Sequence, residues 1–430
     1  MPAAASAHGD GTLIVGASQA GVQAAATLRE HGYTSPIVLV GDEPYAPYQR
    51  PPLSKGYLAG TASRSTLELR AESYYASAGI TVVTGERIVE VRLHDAEAGS
   101  GAAVGEGGTP HAFDRLILAT GARPHRLPVP GADLDGVCYL RGIDDADTLT
   151  RRLQGASHVT VVGGGFIGLE VASLARTAGL SVDVVEAAER VLPRAVASLT
   201  SDFYRGAHER RGTRVHLGAA VDRIEGTNGR ATAVRLTDGR RLPTDLVVVG
   251  IGAQPATELA DQLGLAVQGG IVVDGASRTS IATVLAAGDC TAMSHPAGEV
   301  GLVRLESVQN AVAQGRQAAL AILGRPDPVP AVPWFWSDQY DLKLQIAGLQ
   351  QGHDRVVLRG DPDTERFSVL YFSRDRLIAL DAVNSPIDYM TARKALARSL
   401  TLDPALAHDP DVPLARLLVP VADTTLAPLA

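Results

Sequence analysis

The chain has 430 residues, of which 45% are hydrophobic and 20% charged, a composition typical of a globular protein with about three domains. Its net charge of −8 argues against nucleic acid as a partner, because phosphate binding needs a basic face. We expect no membrane span and no signal peptide, because the sequence lacks the apolar runs that these need. Two distant cysteines and scattered histidines favour a cytoplasmic protein without a bound metal.

The first predicted elements are a strand, a glycine turn, a helix and a second strand. They are predicted at residues 12–15, 16–21, 22–30 and 37–40. The turn contains Ser18 between its glycines, and the second strand ends at Asp42 and Glu43. This order is typical of a dinucleotide-binding fold, in which a helix N-terminus faces a pyrophosphate. An esterase nucleophile elbow does not fit, because the second glycine lies one residue too far from Ser18.

Two segments of different character connect this unit to the next. The proline-rich run 44–55 is interpreted either as a rigid loop that fixes Arg50 and Lys55 or as a solvated connector. Residues 80–118 are predicted as a small antiparallel meander with a glycine-rich turn at 99–108. Prolines that follow this meander predict a linker into a second domain.

The strand–turn–helix–strand unit occurs again between residues 159 and 186. A β-branched run predicts a buried strand, and Gly163, Gly165 and Gly168 follow it at G-x-G-x-x-G spacing. Apolar residues at helical spacing place a helix start inside the turn, and the next strand ends at Glu186. The alternative is a glycine-rich turn that binds nothing. The presence of this acid makes that interpretation the weaker one. The chain is therefore predicted to contain an internal repeat of two dinucleotide folds.

The rest of the chain is predicted to alternate strands and helices up to a proline-rich linker at 326–333. The expected elements are a meander at 215–241, buried strands at 246–252 and 284–287, and a helix at 307–323. The strand at 284–287 leads to Asp289 at its carboxyl end, where ligands of open α/β sheets bind. Antiparallel strands between 343 and 383, followed by helices, predict a C-terminal α+β domain.

Two dinucleotide folds on one chain suggest hydride transfer from a nicotinamide to a flavin, because a flavin can then release electrons singly. Several motifs resemble those of a known family and stand in its order. They are R-P-P-L-S-K at 50–55, A-T-G-A-R-P at 119–124, Y-L-R at 139–141, G-G-G-F-I-G-L-E at 163–170, A-A-G-D-C at 286–290, E-S-V-Q-N-A at 306–311 and P-W-F-W-S-D-Q-Y at 333–340. The chain resembles the FAD-dependent, NAD(P)H-linked ferredoxin and rubredoxin reductases, of the putidaredoxin reductase and aromatic-dioxygenase ferredoxin reductase type. Apoptosis-inducing factor is a more distant relative.

The resemblance implies an α/β fold of the glutathione-reductase-like type. Two Rossmann-like dinucleotide-binding domains are expected, together with a C-terminal α+β domain. The expected boundaries are 1–119 with 249–326 for a discontinuous FAD-binding domain, 120–248 for the NAD-binding domain and 327–430 for the C-terminal domain. The implied cofactors are FAD and NADH.

By the same resemblance, the first fold holds FAD. Asp42, aided by Glu43, is expected to accept hydrogen bonds from the adenosine ribose. Lys55 is expected at the N5 edge of the flavin, where a cation stabilises the reduced ring. Trp336 is expected near the flavin from the C-terminal domain. The full set of expected FAD contacts is Gly16, Ser18, Ala20, Gly21, Asp42, Glu43, Arg50, Lys55, Ile88, Ala119, Thr120, Gly121, Arg141, Gly288, Asp289, Val308 and Trp336.

The second fold is expected to hold NADH. Glu170 is predicted in the first turn of its helix, where the dipole favours a carboxylate, and the resemblance implies that it pairs with Lys55. Glu186 predicts NADH over NADPH, because a carboxylate binds both ribose hydroxyls and repels a 2′-phosphate; Arg190 and Arg194 lie downstream as possible NADPH contacts. The expected NAD contacts are Gly163, Gly165, Phe166, Ile167, Gly168, Glu170, Glu186 and Gly252. The expected catalytic residues are Lys55, Glu170 and Trp336.

The resemblance also implies an electron acceptor, a small acidic [2Fe–2S] ferredoxin that serves a cytochrome P450 or a ring-hydroxylating oxygenase. Such a partner needs a basic patch, for which Arg316 and Lys343 are the candidates. Two alternatives stay open. One is an NADH oxidase, rubredoxin reductase or disulfide reductase, although residues 19–30 lack cysteine and Cys290 is an awkward substitute. The other is a flavin-dependent, redox-responsive interaction protein.

Overall fold

The computed structural model describes residues 11–94, 99–295, 301–325 and 332–421. The described residues form two compact units, one from the stretches 11–125 and 253–325 and one from 126–252 and 332–421. The expected second and third domains thus fall in one compact unit, and the three-domain boundaries stay a prediction. Most of the linker predicted at 326–333 lies outside the described residues. Within the described ranges, no helix is long and apolar enough to cross a membrane.

The helices of the described residues are numbered in chain order. They are α1 (Gln19–Glu30), α2 (Glu72–Ser77), α3 (Ile143–Gln154), α4 (Phe166–Thr177), α5 (Ser198–Arg210), α6 (Glu258–Gln262), α7 (Val308–Ile322) and α8 (Pro386–Ala397). Short 3-10 helices lie at Pro51–Ser54, Arg64–Leu67, Pro362–Thr364 and Leu414–Arg416. The predicted start of α7 is confirmed by its cap, because Ser307 Oγ accepts a hydrogen bond from the Asn310 N–H at 3.1 Å.

A five-stranded parallel sheet forms the centre of the first unit. In spatial order its strands are Val284–Ala286, Arg115–Leu118, Thr12–Val15, Ile37–Val40 and Ile80–Val83. Short β-branched runs suit this sheet because both of its faces are covered. Leu13 and Val15 pack into one core cluster, whereas Ile14 packs on the opposite face with residues of α1 and α7.

The predicted meander at 80–118 is wrong at both ends. Ile80–Val83 and Arg115–Leu118 belong to the parallel sheet. The antiparallel sheet between them consists of Ile88–Leu93, Gly101–Gly105 and Pro110–Phe113. The predicted glycine turn therefore contains a strand, in which a Cβ on Gly101 would lie 2.3 Å from the Arg92 carbonyl oxygen. Close strand packing, not chain reversal, accounts for this glycine.

Two smaller sheets complete the first unit. They consist of Ala122–Pro124 paired with Ala253–Pro255, and of Ile271–Val273, Thr291–Ser294 and Leu302–Val303.

The second unit repeats the plan of the first. Its five parallel strands, in spatial order, are Arg214–His216, Ser181–Val185, His158–Val162, Leu246–Val249 and Val137–Tyr139. An antiparallel sheet follows the strand Arg214–His216 in the sequence. Its strands are Val221–Thr227, Arg230–Leu236 and Arg241–Pro243. The meander predicted at 215–241 is wrong at its start, because Val215 pairs in parallel with Val184.

An antiparallel sheet forms the C-terminal part of the second unit. In spatial order its strands are Trp334–Gln339, Leu342–Gly348, Arg376–Val383, Arg366–Ser373 and Arg355–Asp361, and a two-stranded sheet pairs Leu400–Leu402 with Leu418–Pro420. Residues of α8 pack with this sheet in one core cluster. The fold class is therefore confirmed: two parallel dinucleotide-type folds and a C-terminal α+β region. The strand Trp334–Gln339 was not predicted, because its sequence shows no regular polar alternation.

Candidate functional site

The first glycine turn joins the strand Thr12–Val15 to α1. Gly16 has a φ of +122°, and a Cβ there would lie 2.0 Å from the Ala119 carbonyl oxygen. A Cβ on Gly21 would lie 2.0 Å from the Gly16 carbonyl oxygen. Ser18 is the N-cap of α1, and the first backbone N–H groups of a helix have no partner within it. The turn therefore requires both glycines and presents N–H groups to an anion such as a pyrophosphate.

Two distant segments meet this turn. The Ala119 N–H donates to the Val15 carbonyl oxygen at 2.7 Å and so lies beside Gly16. Gly288 has a φ of +88°, and a Cβ there would lie 3.2 Å from Ala20 Cβ. The structure thus gathers around the start of α1 the predicted residues Gly16, Ser18, Ala20, Gly21, Ala119 and Gly288, with Thr120, Gly121 and Asp289 next in the same segments.

Gln314 of α7 holds the Gly288 edge of the site. Its buried Oε1 accepts hydrogen bonds from the Gly288 N–H at 2.8 Å, Thr291 Oγ1 at 2.8 Å and Asn310 Nδ2 at 3.2 Å. Val308, expected at the pyrimidine end of the flavin, is the first residue of the same helix. Sequence reasoning missed Gln314; a polar residue on the inward face of an apolar helix was the available signal.

The two acids that follow the strand Ile37–Val40, Asp42 and Glu43, have different surroundings. Asp42 is exposed and lines an open cleft. Glu43 accepts hydrogen bonds from Tyr48 Oη at 2.6 Å and from Arg50 at 2.5 Å. Glu43 and Arg50 therefore hold each other, and Asp42 is the acid that faces the cleft; their contacts with FAD stay predictions. The other cleft residues are Val83, Thr84, Gly85, Glu86, Arg87, Glu106 and Gly107, none of them singled out from the sequence.

The proline-rich run before Lys55 is ordered around the 3-10 helix Pro51–Ser54. Leu53 is 2% exposed and Tyr48 is 5% exposed, so the run is anchored in the protein interior. These contacts support the rigid-loop interpretation over the solvated connector. Ile88, expected on the adenine side, is buried at the start of its strand.

The second glycine turn has the same geometry as the first. Gly163 has a φ of +107°, and a Cβ there would lie 2.4 Å from the Gly250 carbonyl oxygen. A Cβ on Gly168 would lie 2.1 Å from the Gly163 carbonyl oxygen. Gly165 is the N-cap of α4. The second turn therefore presents the same kind of anion-binding helix start.

Glu186 is fixed against this second turn. Its Oε2 accepts a hydrogen bond from the Gly164 N–H at 2.7 Å, and its Oε1 accepts one from the Ala188 N–H at 2.8 Å. A Cβ on Gly164 would lie 3.2 Å from Glu186 Oε2 and 3.1 Å from Val191 Cγ1. The predicted recognition acid is therefore held at the turn, and Gly164, which sequence reasoning passed over, makes room for it.

The loop after Glu186 is braced by Arg190. The guanidinium of Arg190 donates to the carbonyl oxygens of Pro193 at 2.7 Å and Val196 at 2.6 Å. The Leu192 N–H donates to the Gly164 carbonyl oxygen at 2.9 Å and ties the loop to the turn. Arg190 is thus engaged within its own loop, a use that differs from the expected contact with a 2′-phosphate.

Glu170 lies deeper in α4 than predicted. The prediction of a first-turn position is wrong, because α4 begins at Phe166 and Glu170 is its fifth residue. The side chain is 2% exposed and accepts a hydrogen bond from Ser337 Oγ at 2.6 Å. A buried carboxylate depends on such donors because water no longer solvates it. Lys55 belongs to the other unit, and its pairing with Glu170 stays a prediction.

An aromatic contact joins the start of α4 to the strand Trp334–Gln339 within the second unit. The Phe166 ring lies 4.4 Å from the Phe335 ring, and the Trp336 ring lies 5.5 Å from the Trp334 ring. Trp336 is half-buried, and Ile167 is 43% exposed although it belongs to the apolar pattern of the helix. Ile167 is therefore outside the core, as expected of a ligand contact; its role and that of Trp336 stay predictions.

The remaining predicted residues lie at element ends or on the surface. The Arg141 N–H donates to Asp145 Oδ2 at 2.9 Å just before α3. Gly252 has a φ of +101° shortly after the strand Leu246–Val249. Arg316 and Lys343 are both exposed. Their predicted contacts with cofactor or partner stay predictions.

Taken together, each fold offers an open glycine cradle at a helix start, and each has an acid beyond the second strand. Both turns exclude a side chain at their first glycine, and both present the N–H groups of a helix start, so both fit a pyrophosphate. This arrangement defines a class: a protein that binds two dinucleotides.

Comparison with known proteins identifies the family. Residues 11–315 match the family described as pyridine nucleotide-disulphide oxidoreductase, and residues 334–418 match the family described as reductase C-terminal. Rhodocoxin reductase from Rhodococcus erythropolis is 46% identical over 412 residues, which cover 96% of this chain and 95% of that protein.

Two solved structures are similar over nearly the whole chain. The ferredoxin reductase for the CYP199A2 system from Rhodopseudomonas palustris gives a TM-score of 0.90 at 40% identity, covering 95% of this chain and 100% of the other. The reductase in the covalent putidaredoxin reductase–putidaredoxin complex gives a TM-score of 0.90 at 38% identity, covering 95% and 98%. The chain belongs to the pyridine nucleotide-disulphide oxidoreductases, and within them to the flavoprotein ferredoxin reductases. This family uses FAD and NAD(P)H.

Proposed function

We propose that the chain is an NADH-dependent ferredoxin reductase that supplies single electrons to an acidic [2Fe–2S] ferredoxin of a cytochrome P450 or ring-hydroxylating oxygenase system. The observation that carries the nucleotide choice is the position of Glu186, whose two oxygens are held by the N–H groups of Gly164 and Ala188. The similarity to a reductase captured with putidaredoxin supports the partner class. The protein is proposed to act in the cytoplasm.

NADH is favoured over NADPH by the hydrogen-bond acceptors of Glu186 and by the engagement of the Arg190 guanidinium within its own loop. Each Glu186 oxygen keeps a further lone pair, so the carboxylate can accept hydrogen bonds from both ribose hydroxyls. A 2′-phosphate at the same place would meet a fixed negative charge. Arg190 is directed away from such a contact, because both terminal nitrogens of its guanidinium donate to the carbonyl groups of Pro193 and Val196.

The proposed roles of the other residues follow from their places. The N–H groups of the first turn hold the FAD pyrophosphate, and Asp42 holds the adenosine ribose. Bound FAD supplies a ring that accepts a hydride and releases electrons singly. Lys55 stabilises negative charge on the reduced ring, and Glu170 pairs with Lys55 and orients the nicotinamide. Trp336 is proposed to lie beside the flavin on the side of the electron acceptor.

A disulfide reductase is disfavoured by the state of Cys290. The thiol is fully buried, and its sulfur lies 3.4 Å from the Ala287 carbonyl oxygen and 3.6 Å from that of Leu118. Burial raises the pKa of the Cys290 thiol, so the reactive thiolate is suppressed. Cys138, the other cysteine of the chain, is also buried, and burial raises its thiol pKa as well.

The proposal is tested by NADH-driven reduction of cytochrome c in the presence and absence of added ferredoxin. We expect rapid reduction only with a [2Fe–2S] ferredoxin, and a kcat/KM for NADH at least about tenfold above that for NADPH. Rubredoxin and a small disulfide substrate serve as alternative acceptors in parallel assays. NADH oxidation that needs no ferredoxin and consumes oxygen indicates an NADH oxidase, and absence of any acceptor activity favours an interaction protein.

The docking patch is tested by charge reversal at low ionic strength. The double variant Arg316→Glu/Lys343→Glu is expected to raise the KM for ferredoxin about tenfold while flavin reduction by NADH stays unchanged. A matched control is Arg151→Glu/Arg230→Glu, which reverses two other exposed charges, both in the second unit. If both double variants behave alike, the patch lies at other residues.

A further inference from the structure

A line of buried polar side chains leads away from Glu170 inside the second unit. Ser337 and Gln339 lie on the strand Trp334–Gln339, and His208 lies near the end of α5. All three are 0% exposed, and Glu170 is 2% exposed. Ser337 and Gln339 fall within the motif at 333–340, but none of the three residues is among the proposed cofactor contacts.

The line is continuous in hydrogen-bonding distance. Ser337 Oγ lies 2.6 Å from Glu170 Oε1, and Gln339 Nε2 lies 3.1 Å from Ser337 Oγ. His208 Nε2 lies 2.9 Å from Gln339 Oε1. Helix α4, the C-terminal sheet and helix α5 are therefore joined through side chains alone.

The chemistry of the groups gives the line one direction. An ionised Glu170 can only accept, so the Ser337 hydroxyl must donate its single hydrogen to it. Ser337 Oγ must then accept from the Gln339 amide, which turns the amide oxygen towards His208. His208 must donate from Nε2. Each donor in the line thus points towards the Glu170 carboxylate.

The far end of the line fits this direction. Burial lowers the pKa of His208 to about 4, so the ring is neutral at pH 7 and has a single N–H. With that hydrogen on Nε2, as the bond to Gln339 Oε1 requires, Nδ1 is an acceptor. The Tyr340 hydroxyl lies 3.4 Å from His208 Nδ1 and 3.1 Å from Thr213 Oγ1. Tyr340 has a φ of +56° in the turn between the first two strands of the C-terminal sheet.

We propose that Ser337, Gln339 and His208 are positioning residues that hold the Glu170 carboxylate in one orientation for its role at the nicotinamide. A fully satisfied buried network is rigid, because each group that turned away would leave a partner unpaired in a medium of low dielectric. The inference rests on the proposed function of Glu170 as the residue that orients the nicotinamide.

Removal of the first donor tests the line most directly. Ser337→Ala is expected to lower the limiting rate of flavin reduction by NADH roughly tenfold, because a hydrogen bond to a charged group is lost. Its dissociation constant for NAD⁺, measured by calorimetry, is expected to change less than about threefold. Ser337→Thr keeps a hydroxyl and is expected to restore the rate.

A matched control exists in the same sheet. Ser368 is also 0% exposed, and its Oγ donates to the Asp388 carboxylate at 3.0 Å. Ser368→Ala therefore removes the same kind of bond away from Glu170 and is expected to leave the reduction rate unchanged. An equal loss of rate in Ser368→Ala would show that general destabilisation, not positioning, is responsible, and would overturn the proposal.

The far end is tested at His208. His208→Leu removes the donor to Gln339 and is expected to lower the reduction rate about threefold, less than Ser337→Ala because the lost bond joins uncharged groups. His208→Gln supplies an amide donor and is expected to retain most of the rate. If both variants lose the rate equally, the donor at this position has no role and the line ends before it.

A double-mutant cycle with Glu170→Gln separates this inference from the function on which it rests. If Ser337 acts through Glu170, Ser337→Ala has no further effect on the rate in the Glu170→Gln background. If Glu170→Gln lowers the rate but Ser337→Ala lowers it again by the same factor, the positioning role is refuted alone. If Glu170→Gln leaves the rate unchanged, the proposed role of Glu170 fails and the positioning role fails with it.

Discussion

The two glycine turns share their backbone geometry but hold their acids differently. In both folds, the N–H of the first glycine donates at 2.8 Å to the last residue of the neighbouring strand. In both folds, the missing Cβ makes room for a carbonyl oxygen, that of Ala119 or of Gly250. The residue that follows the second strand, however, is Gly41 in the first fold and Glu186 in the second.

In each fold, a residue of the glycine turn packs against the residue that follows the second strand, and glycine occupies a different one of these two positions in each fold. In the first fold, Ala17 occupies the turn, and a Cβ on Gly41 would lie 2.7 Å from Ala17 Cβ. In the second fold, Gly164 occupies the turn and leaves room for Glu186. The acid of the first fold is therefore displaced to Asp42 in an exposed cleft, whereas Glu186 is clamped on the turn. The shared turn is the proposed binding place of a pyrophosphate, and the exchanged small residue determines how firmly the acid proposed to bind the ribose is held.

The largest effects are expected from a side chain inside either turn. Gly16→Ala and Gly163→Ala should each lower the free energy of unfolding by more than about 3 kcal/mol, because a Cβ would overlap a carbonyl group and φ is positive. The comparison predicts different losses of function. Gly16→Ala should be purified with little flavin, whereas Gly163→Ala should keep its flavin and lose NADH binding; flavin absorbance per protein and NADH titration measure these.

The control for the turns is Gly239→Ala. Gly239 also has a positive φ, +90°, but no described atom lies within 4 Å of its Cβ position. Strain alone should cost about 1–2 kcal/mol there, with both cofactors still bound. Full flavin content in Gly16→Ala would break the assignment of the first turn to FAD.

The second effect concerns Asp381, which ties the second fold to the C-terminal sheet. Thr200 Oγ1 of α5 donates to Asp381 Oδ2 at 2.9 Å, and the Tyr371 hydroxyl donates to the same oxygen. Burial raises the pKa of Asp381 from 3.8 to about 7, although these two hydrogen bonds lower it. Between these two pKa values, Asp381 is protonated in the folded protein and ionised in the unfolded chain. The stability of the folded protein therefore falls as the pH rises from about 4 to about 7.

The test is the difference in unfolding free energy between wild type and Asp381→Asn as a function of pH. The wild type should lose stability relative to Asp381→Asn, on the order of 3 kcal/mol, between the two pH limits. A flat difference for Asp381→Asn would mean that Asp381 is ionised in the folded protein.

The third effect is on nucleotide choice. Glu186→Gln should lower the kcat/KM ratio of NADH to NADPH roughly tenfold, because the fixed negative charge that opposes a 2′-phosphate is lost. Asp42→Asn in the first fold should weaken FAD binding without changing this ratio. Steady-state kinetics with both nucleotides and flavin release on dilution measure the two. A change of the ratio in Asp42→Asn would reverse the assignment of the two folds.

The smallest effect is expected from Arg190, which holds the loop that follows Glu186. Arg190→Ala should lower the free energy of unfolding by about 1 kcal/mol and weaken NADH binding, because two hydrogen bonds that shape the loop are lost. Arg194→Ala is the control, because Arg194 is exposed in the same loop. If Arg190→Ala weakens NADPH binding alone, Arg190 contacts the phosphate and the brace is not its main role.

The predictable parts of the fold are those whose signals are local. The strand at 12–15, the strand at 181–185 and the start of α4 inside the second glycine turn follow from short apolar runs and glycine spacing. The first helix, predicted from residue 22, begins earlier, at Gln19 inside the first turn. Both ends of the first meander and the start of the second were wrong, because a short apolar run has the same appearance in a parallel and in an antiparallel sheet. Only pairing with Ile37–Val40 shows that Ile80–Val83 belongs to the parallel sheet.

The candidate site divides in the same way. The glycines and Glu186 were found because spacing alone marks them. Ser337 and His208 were missed because their partners are distant: Ser337 donates to a residue 167 positions away, and His208 bonds to one 131 positions away. The helix position of Glu170 was misjudged because the sequence does not show which residue of a glycine turn begins the helix.

By itself, the sequence determined that two dinucleotide folds exist and which acid follows each, because a backbone that lacks room for Cβ atoms requires glycine at set intervals. Only the tertiary structure decided what those acids do. In the folded protein, Glu186 accepts a hydrogen bond from the Gly164 N–H and Glu43 pairs with Arg50. Glu170 is buried at the end of a line of hydrogen-bonded side chains. The physical reason is that the hydrogen-bond partners of a buried or fixed carboxylate come from whichever segments the fold brings to it, and sequence spacing carries no record of those distances.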